Sequence, residues 1–202
     1  MLDNEDVRIV DGYTIFDSFQ IGQAEILLGE NLKAAPGEKY MCCTVSYSKY
    51  SANFSDAEVS DDYIKIIQVY TKLISKCVDL FREELAEIKK TGIDDAPVKE
   101  DGYIPVSYED DLHNRVIVIK PEVLKREYQR ATKQYRLCTG GFGASPNSRG
   151  SAWFCTNLYD GHEGRFERQD VLGIVNEEQM PDWVKEGLER FTKQRHKDRG
   201  AR

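Results

Sequence analysis

Apolar residues fall on alternate positions in two neighbouring stretches near the start of the chain. Tyr13, Ile15, Phe19 and Ile21 form the first set, and Ala24, Ile26 and Leu28 the second, with Gly22 near the reversal. A period of two places every second side chain on one face, so the pattern predicts a pair of strands joined by a tight turn. A loop around residues 33–37 then leads into residues 40–47, Tyr-Met-Cys-Cys-Thr-Val-Ser-Tyr, a run rich in strand formers. The period changes at residue 60. Tyr63, Ile67, Tyr70, Ile74, Cys77, Phe81, Leu85 and Ile88 recur every three or four residues, which predicts one long helix with a single apolar stripe. Ser60 is placed to cap it, Asp61 and Asp62 to sit against its N-terminal dipole, and Thr91-Gly92 to end it.

The segment from Ile93 to Pro105 is acidic and carries Pro97, Gly102 and Pro105, so it reads either as a linker between two domains or as a loop within one unit. Val116 to Ile119 is a short β-branched run suited to a buried strand. Pro121 fits the first turn of a helix running to about Lys133, with Leu124, Tyr128 and Ala131 facing inward. A β-meander follows, with strands at 135–139 and 151–158, a hairpin turn at Asp160-Gly161, and a return from Arg165 to Val175. Pro181 opens a last helix with Trp183, Val184, Leu188 and Phe191 inside, and residues 193–202 form a basic, frayed end. The expected class is α+β, with an N-terminal antiparallel sheet and one long helix over 1–92. A C-terminal β-meander with two helices is expected over 106–192.

Charge adds an asymmetry to this outline. The 202 residues hold 28 Lys and Arg against 35 Asp and Glu, a net charge of -7. Residues 1–112 carry 11 basic and 23 acidic side chains, and residues 113–202 carry 17 and 12, so the halves differ in sign. No apolar run approaches the roughly 20 residues of a membrane-spanning helix. The acidic start predicts a chain without a secretory leader, and five cysteines without framework spacing fit a reducing cytoplasm.

Three groups of residues are candidates for binding. Gly140, Gly141, Phe142, Gly143, Ser145, Asn147 and Arg149 lie in a glycine-rich stretch whose backbone could cradle an anion or meet a partner. The stretch lacks the Lys-Ser/Thr pair of a phosphate loop and the helix of a dinucleotide site, so it reads first as a shaped connection between strands. Arg126, Arg130 and Lys133 share one side of the expected Pro121 helix. They would touch nucleic-acid phosphates, or form an ordinary solvated face. Asp61, Asp62, Asp94, Asp95, Asp110 and Asp111 concentrate carboxylates that could imitate a phosphate backbone in a basic channel, or simply aid solubility. No catalytic set is visible: His113, His162 and His196 have no spacing that suggests a base beside Cys or Ser, and no cofactor motif is present. Cys138, Cys155 and His162 could converge in the meander, but three ligands without a CxxC pair make a poor zinc site.

Two passages carry a resemblance. Residues 12–64 are similar to small accessory proteins of conjugative elements and phages of gut Firmicutes. Residues 135–175, which contain CTGGFGASPNSRG, resemble a module found there alone or attached to larger proteins. The resemblance implies a cargo protein of a mobile element. Such cargo includes antagonists of host defence, among them anti-CRISPR proteins that act on Cas9. The expected function is therefore a non-enzymatic antagonist that binds Cas9 with its guide RNA, the alternative being a nucleic-acid-binding accessory of element transfer.

Overall fold

The structure, a computed structural model, describes residues 7–47 and 51–200, the last six of these as backbone. The chain forms two compact units that divide between Glu87 and Ile88.

The first unit is an antiparallel five-stranded meander in chain order: β1 (Ile9–Val10), β2 (Tyr13–Ile21), β3 (Ala24–Glu30), β4 (Tyr40–Tyr47) and β5 (Ala52–Ser60). Helix α1 (Tyr63–Lys90) follows. Ile26, Leu28 and Cys42 pack against Ile66, Tyr70, Leu73 and Cys77 of α1. Leu27, Met41, Cys43 and Val45 gather with Tyr13 in a second cluster. Neighbouring residues of β3 and β4 thus face opposite ways, as the strand pleat requires, so these strands are buried on both sides. The cap of α1 is Asp62 rather than Ser60: Asp62 Oδ1 accepts from the Ile64 and Lys65 amides, while Ser60 Oγ accepts from the Asp62 amide. The apolar stripe of α1 is buried at Tyr70, Leu73 and Cys77, whereas Tyr63 and Leu85 are exposed. Strand β5 has no apolar alternation because it is an exposed edge, bulged around Asp56 at φ 52°.

The second unit holds a six-stranded antiparallel sheet in the order β10-β9-β8-β7-β11-β6. Its strands are β6 (Tyr103–Pro105), β7 (Val116–Ile119), β8 (Tyr135–Gly140), β9 (Ala152–Asn157), β10 (Glu163–Glu167) and β11 (Val171–Val175). Two helices accompany it, α2 (Ala131–Gln134) and α3 (Asp182–Gly200). The run Val116–Ile119 is apolar throughout because it lies between two cores. Ile117 and Ile119 join Trp153, Cys138, Cys155 and Leu112, while Val116 and Val118 join Tyr135, Leu137, Leu158 and Val184 of α3.

Three expectations are corrected here. The expected helix from Pro121 to Lys133 is instead two 3-10 turns, Pro121–Val123 and Arg126–Tyr128, followed by extended Arg130 and the single turn of α2. A short isolated helix has little stability of its own, and the buried ion pair of Arg130 with Asp95 holds the chain extended there instead. The expected return strand from Arg165 to Val175 is two strands. A reciprocal cap between Glu167 and Asp170 turns the chain, so β10 stays on β9 while β11 inserts between β7 and β6. Helix α3 continues to Gly200, into the stretch expected to fray.

Residues 93–105 belong to the second unit. Pro105 of β6 stands opposite Gly173, and the Val98 amide donates to Gln134 Oε1 at 2.9 Å. Dividing the chain at Glu87 softens the charge contrast. Residues 1–87 carry 8 basic and 16 acidic side chains, and residues 88–202 carry 20 and 19.

Candidate interaction surface

The glycine-rich loop between β8 and β9 is a packed cover over one core. Gly141 adopts φ 104°, and a Cβ on it would lie 2.7 Å from both the Ala152 carbonyl oxygen and Trp153 Cα. A Cβ on Gly143 would lie 2.0 Å from the Ser151 oxygen. These two glycines let the loop lie flat on β9, which brings Ala144 into the cluster of Leu112 and Trp153. Bonds to residues 107–112 then pin it: Leu112 N–H to Ala144 O at 2.9 Å and Asn147 N–H to Tyr108 O at 3.0 Å. The Tyr108 hydroxyl donates to the Ser148 carbonyl. Arg168 ties both segments together. Its Nη1 donates to Gly143 O at 3.0 Å, and its Nη2 to Ser107 O at 2.7 Å and Asp110 O at 2.6 Å.

The arrangement bears on both readings of the loop. The amides of Ala144, Ser145 and Asn147 donate to Gly141, Phe142 and Tyr108 carbonyls, so these three are not aimed at an anion. What the loop presents outward is side chain. Phe142 is 82% exposed at its tip, and Asn147 and Arg149 are exposed beyond it. Ser145 is half-buried. Phe154 of β9 is 51% exposed; it stands opposite Gly140 on β8 and Arg165 on β10. The missing Cβ of Gly141 leaves room for the Phe154 ring. Arg165 holds Glu167 at 2.6 Å. Phe154 and Arg165 form an exposed cross-strand pair on β9 and β10, and the loop between β8 and β9 adds exposed Phe142 and Arg149. The signal for Phe154 lies in the Trp153-Phe154 pair: adjacent strand residues face opposite ways, so burying Trp153 turns Phe154 outward.

The other candidates take local roles. Arg126, Arg130 and Lys133 do not form a common basic face, because no helix spans them. Arg126 is exposed, Arg130 is buried and pairs with Asp95 at 3.3 Å, and Lys133 pairs with Asp160 at 2.7 Å. Of the six carboxylates, Asp61 and Asp62 lie in the first unit and the rest in the second. Asp61 accepts from the Gly37 and Lys39 amides, Asp62 caps α1, and Asp94 accepts from the Ala96 amide. Asp95 accepts from the Thr132 amide, Asp110 from Ser107 and Asp111 from His113. Donated backbone amides hold the carboxyls of exposed Asp61 and Asp111 and half-buried Asp110 below the usual range, so all three are anions at neutral pH.

Comparison with known proteins adds no relative. No family model, curated protein or solved structure matches the chain.

The thiols are buried. Cys138 and Cys155 stand opposite each other on β8 and β9, whereas His162 is exposed on the hairpin beyond them. Burial pushes the Cys155 thiol up to about 11 and Cys42 to about 12, so both stay protonated at neutral pH. Among the described residues no three His, Cys, Asp or Glu side chains are grouped to hold a metal ion, and no helix is long and apolar enough to cross a membrane.

The Lys133–Asp160 pair makes the second unit sensitive to acid. Burial alone would raise the Asp160 carboxyl, but the Lys133 hydrogen bond and the His162 amide outweigh it and leave the carboxyl below its ordinary value. A lowered folded-state pKa contributes stability that is present above the unfolded value near pH 4 and lost as pH falls through the folded value. The thermal midpoint of the second unit is expected to be lower in Lys133→Met than in wild type at pH 7, with the gap closing below about pH 4. A gap that stays constant across a pH series of melting curves would show that the pair does not act this way.

Proposed function

We propose that this protein is a non-enzymatic antagonist that binds a bacterial defence nuclease of the Cas9 type, carrying its guide RNA, inside the host cell. The observation that carries the binding role is Phe142, held out into solvent on a loop pinned at both ends. A large apolar side chain in that position gains nothing for the fold and offers a preformed anchor for a partner. Phe154, Arg149 and Arg165 extend the surface with the residue types enriched at interface centres. The net charge of -7 favours approach to a basic, nucleic-acid-binding partner. The nuclease is chosen as partner because residues 12–64 and 135–175 resemble mobile-element cargo.

Titration into a Cas9 plasmid-cleavage assay, before and after guide loading, tests the reading. Inhibition saturating near one equivalent is expected, together with co-migration on size exclusion. Phe142→Ala is expected to weaken binding roughly 30-fold without lowering the melting temperature. Absence of both inhibition and co-migration would sink the nuclease reading. Unchanged affinity in Phe142→Ala would sink the assignment of the surface.

A second reading, direct binding of single-stranded nucleic acid, rests on the same residues, since exposed rings beside guanidinium groups stack bases and hold phosphates. It predicts salt-sensitive binding of oligonucleotides with no protein partner, and a flat titration at low salt would remove it.

A further inference from the structure

On one side of the glycine-rich loop lies a cavity of about 470 Å³, whose lining includes Val106, Tyr108, Lys120, Glu167, Arg168 and Val171. Its volume suits a small molecule. Arg168 is only 8% exposed and forms no ion pair with any described carboxylate. Its three bonds run to carbonyl oxygens, which bind the guanidinium without cancelling its charge. They occupy Nη1 and Nη2 and leave Nε without a hydrogen-bond partner among the described residues. Lys120 also lines the cavity, and its ammonium has neither ion pair nor hydrogen bond among the described residues. The one acid on the wall, Glu167, is already engaged. It accepts from the Ser151 hydroxyl and pairs with Arg165 at 2.6 Å. Two cations therefore face a cavity whose only carboxylate is neutralised from outside it.

We infer that this cavity is a binding site for a small organic anion, with the anionic group between Lys120 and Arg168 and an apolar body against Val106, Tyr108 and Val171. The three carbonyls satisfy the donors of this guanidinium but do not pair its charge, and a ligand anion in the cavity would. Burial draws the Arg168 guanidinium below its ordinary value, with Asp110 opposing, in keeping with a charge held out of water. Phosphate and carboxylate head groups both match a guanidinium edge beside an ammonium. The Tyr108 ring and the two valines select for a flat apolar body on either head group. The cavity shares no lining residue with the partner surface of Phe142, Phe154, Arg149 and Arg165, although Arg165 pairs with its Glu167 and Arg168 braces the loop.

Phenyl phosphate and benzoate serve as probes, titrated into the full chain at low ionic strength and followed by ligand-detected NMR and thermal shift. Arg168 also braces the loop, so Lys120→Met is the deciding variant. Lys65→Met, on α1 of the first unit, is the control for general charge loss. Binding of either probe that weakens about tenfold in Lys120→Met and is unchanged in Lys65→Met is the expected result. Preference for phenyl phosphate assigns a phosphate ligand, and preference for benzoate a carboxylate. No binding of either probe would overturn the site. So would binding that Lys120→Met leaves intact, or that Lys65→Met weakens equally.

Discussion

Gly143→Ala is expected to destabilise the second unit by about 3 kcal/mol or more, shifting its melting transition down by at least roughly 10 °C. The cause is contact, since Gly143 has ordinary negative φ. The added methyl would lie 2.0 Å from the Ser151 carbonyl oxygen and 2.4 Å from its carbonyl carbon, well inside van der Waals distance of rigid backbone. Relief requires the loop to lift from β9, and lifting it uncovers Ala144 and stretches the Arg168 bond to Gly143 O. Gly37→Ala provides the contrast. There φ is 94° with nothing within 4 Å, so only backbone strain remains, about 1 kcal/mol. Calorimetry on both variants separates the causes. Equal, small shifts would mean that the loop gives way easily and does not cover the core as described.

Arg168→Met is expected to cost about 3–5 kcal/mol, because it removes the donors from three carbonyl oxygens in one step. Methionine keeps the apolar length and deletes the fork, so the loss reports the polar links and not an empty volume. Arg168→Lys should recover only part of it, since an ammonium cannot span three acceptors contributed by two separate segments. Denaturant unfolding of the second unit measures both variants. A loss under about 1 kcal/mol for Arg168→Met would show that water replaces the guanidinium at these carbonyls. Phe142→Ala should leave stability unchanged while partner binding falls, so bracing and recognition are separable on the same loop.

Much of the fold was legible along the chain. The alternation at residues 13–28 and the three-to-four spacing from residue 63 predicted β2, β3 and α1, because those patterns record which face is buried. The strand at 116–119 and the helix opened at Pro181 were legible for the same reason. Strand β5 was hidden, since an exposed edge needs no apolar period, and β6 was hidden in an acidic stretch with two nearby prolines. The candidate site was legible only as composition. Its glycines suggested an open cradle, yet Gly141 and Gly143 serve close packing, and Phe142 emerges as the presented group.

By itself, the sequence determined the α+β class, the long helix, the two-sided burial of the 116–119 strand and the absence of a membrane-spanning apolar run. Each of these rests on residues within a few positions of one another, where local geometry alone assigns the faces. Tertiary structure decided the fate of the charges. Arg130 turns inward to Asp95, 35 residues away, Lys133 to Asp160, 27 away, and Arg168 to the carbonyl of Ser107, 61 away. Such partners are chosen by the folded path and by the cost of burying an unpaired charge, and neither leaves a period in the sequence. The same path removed the basic stripe expected at 126–133 and placed Arg168 and Lys120 around a common cavity.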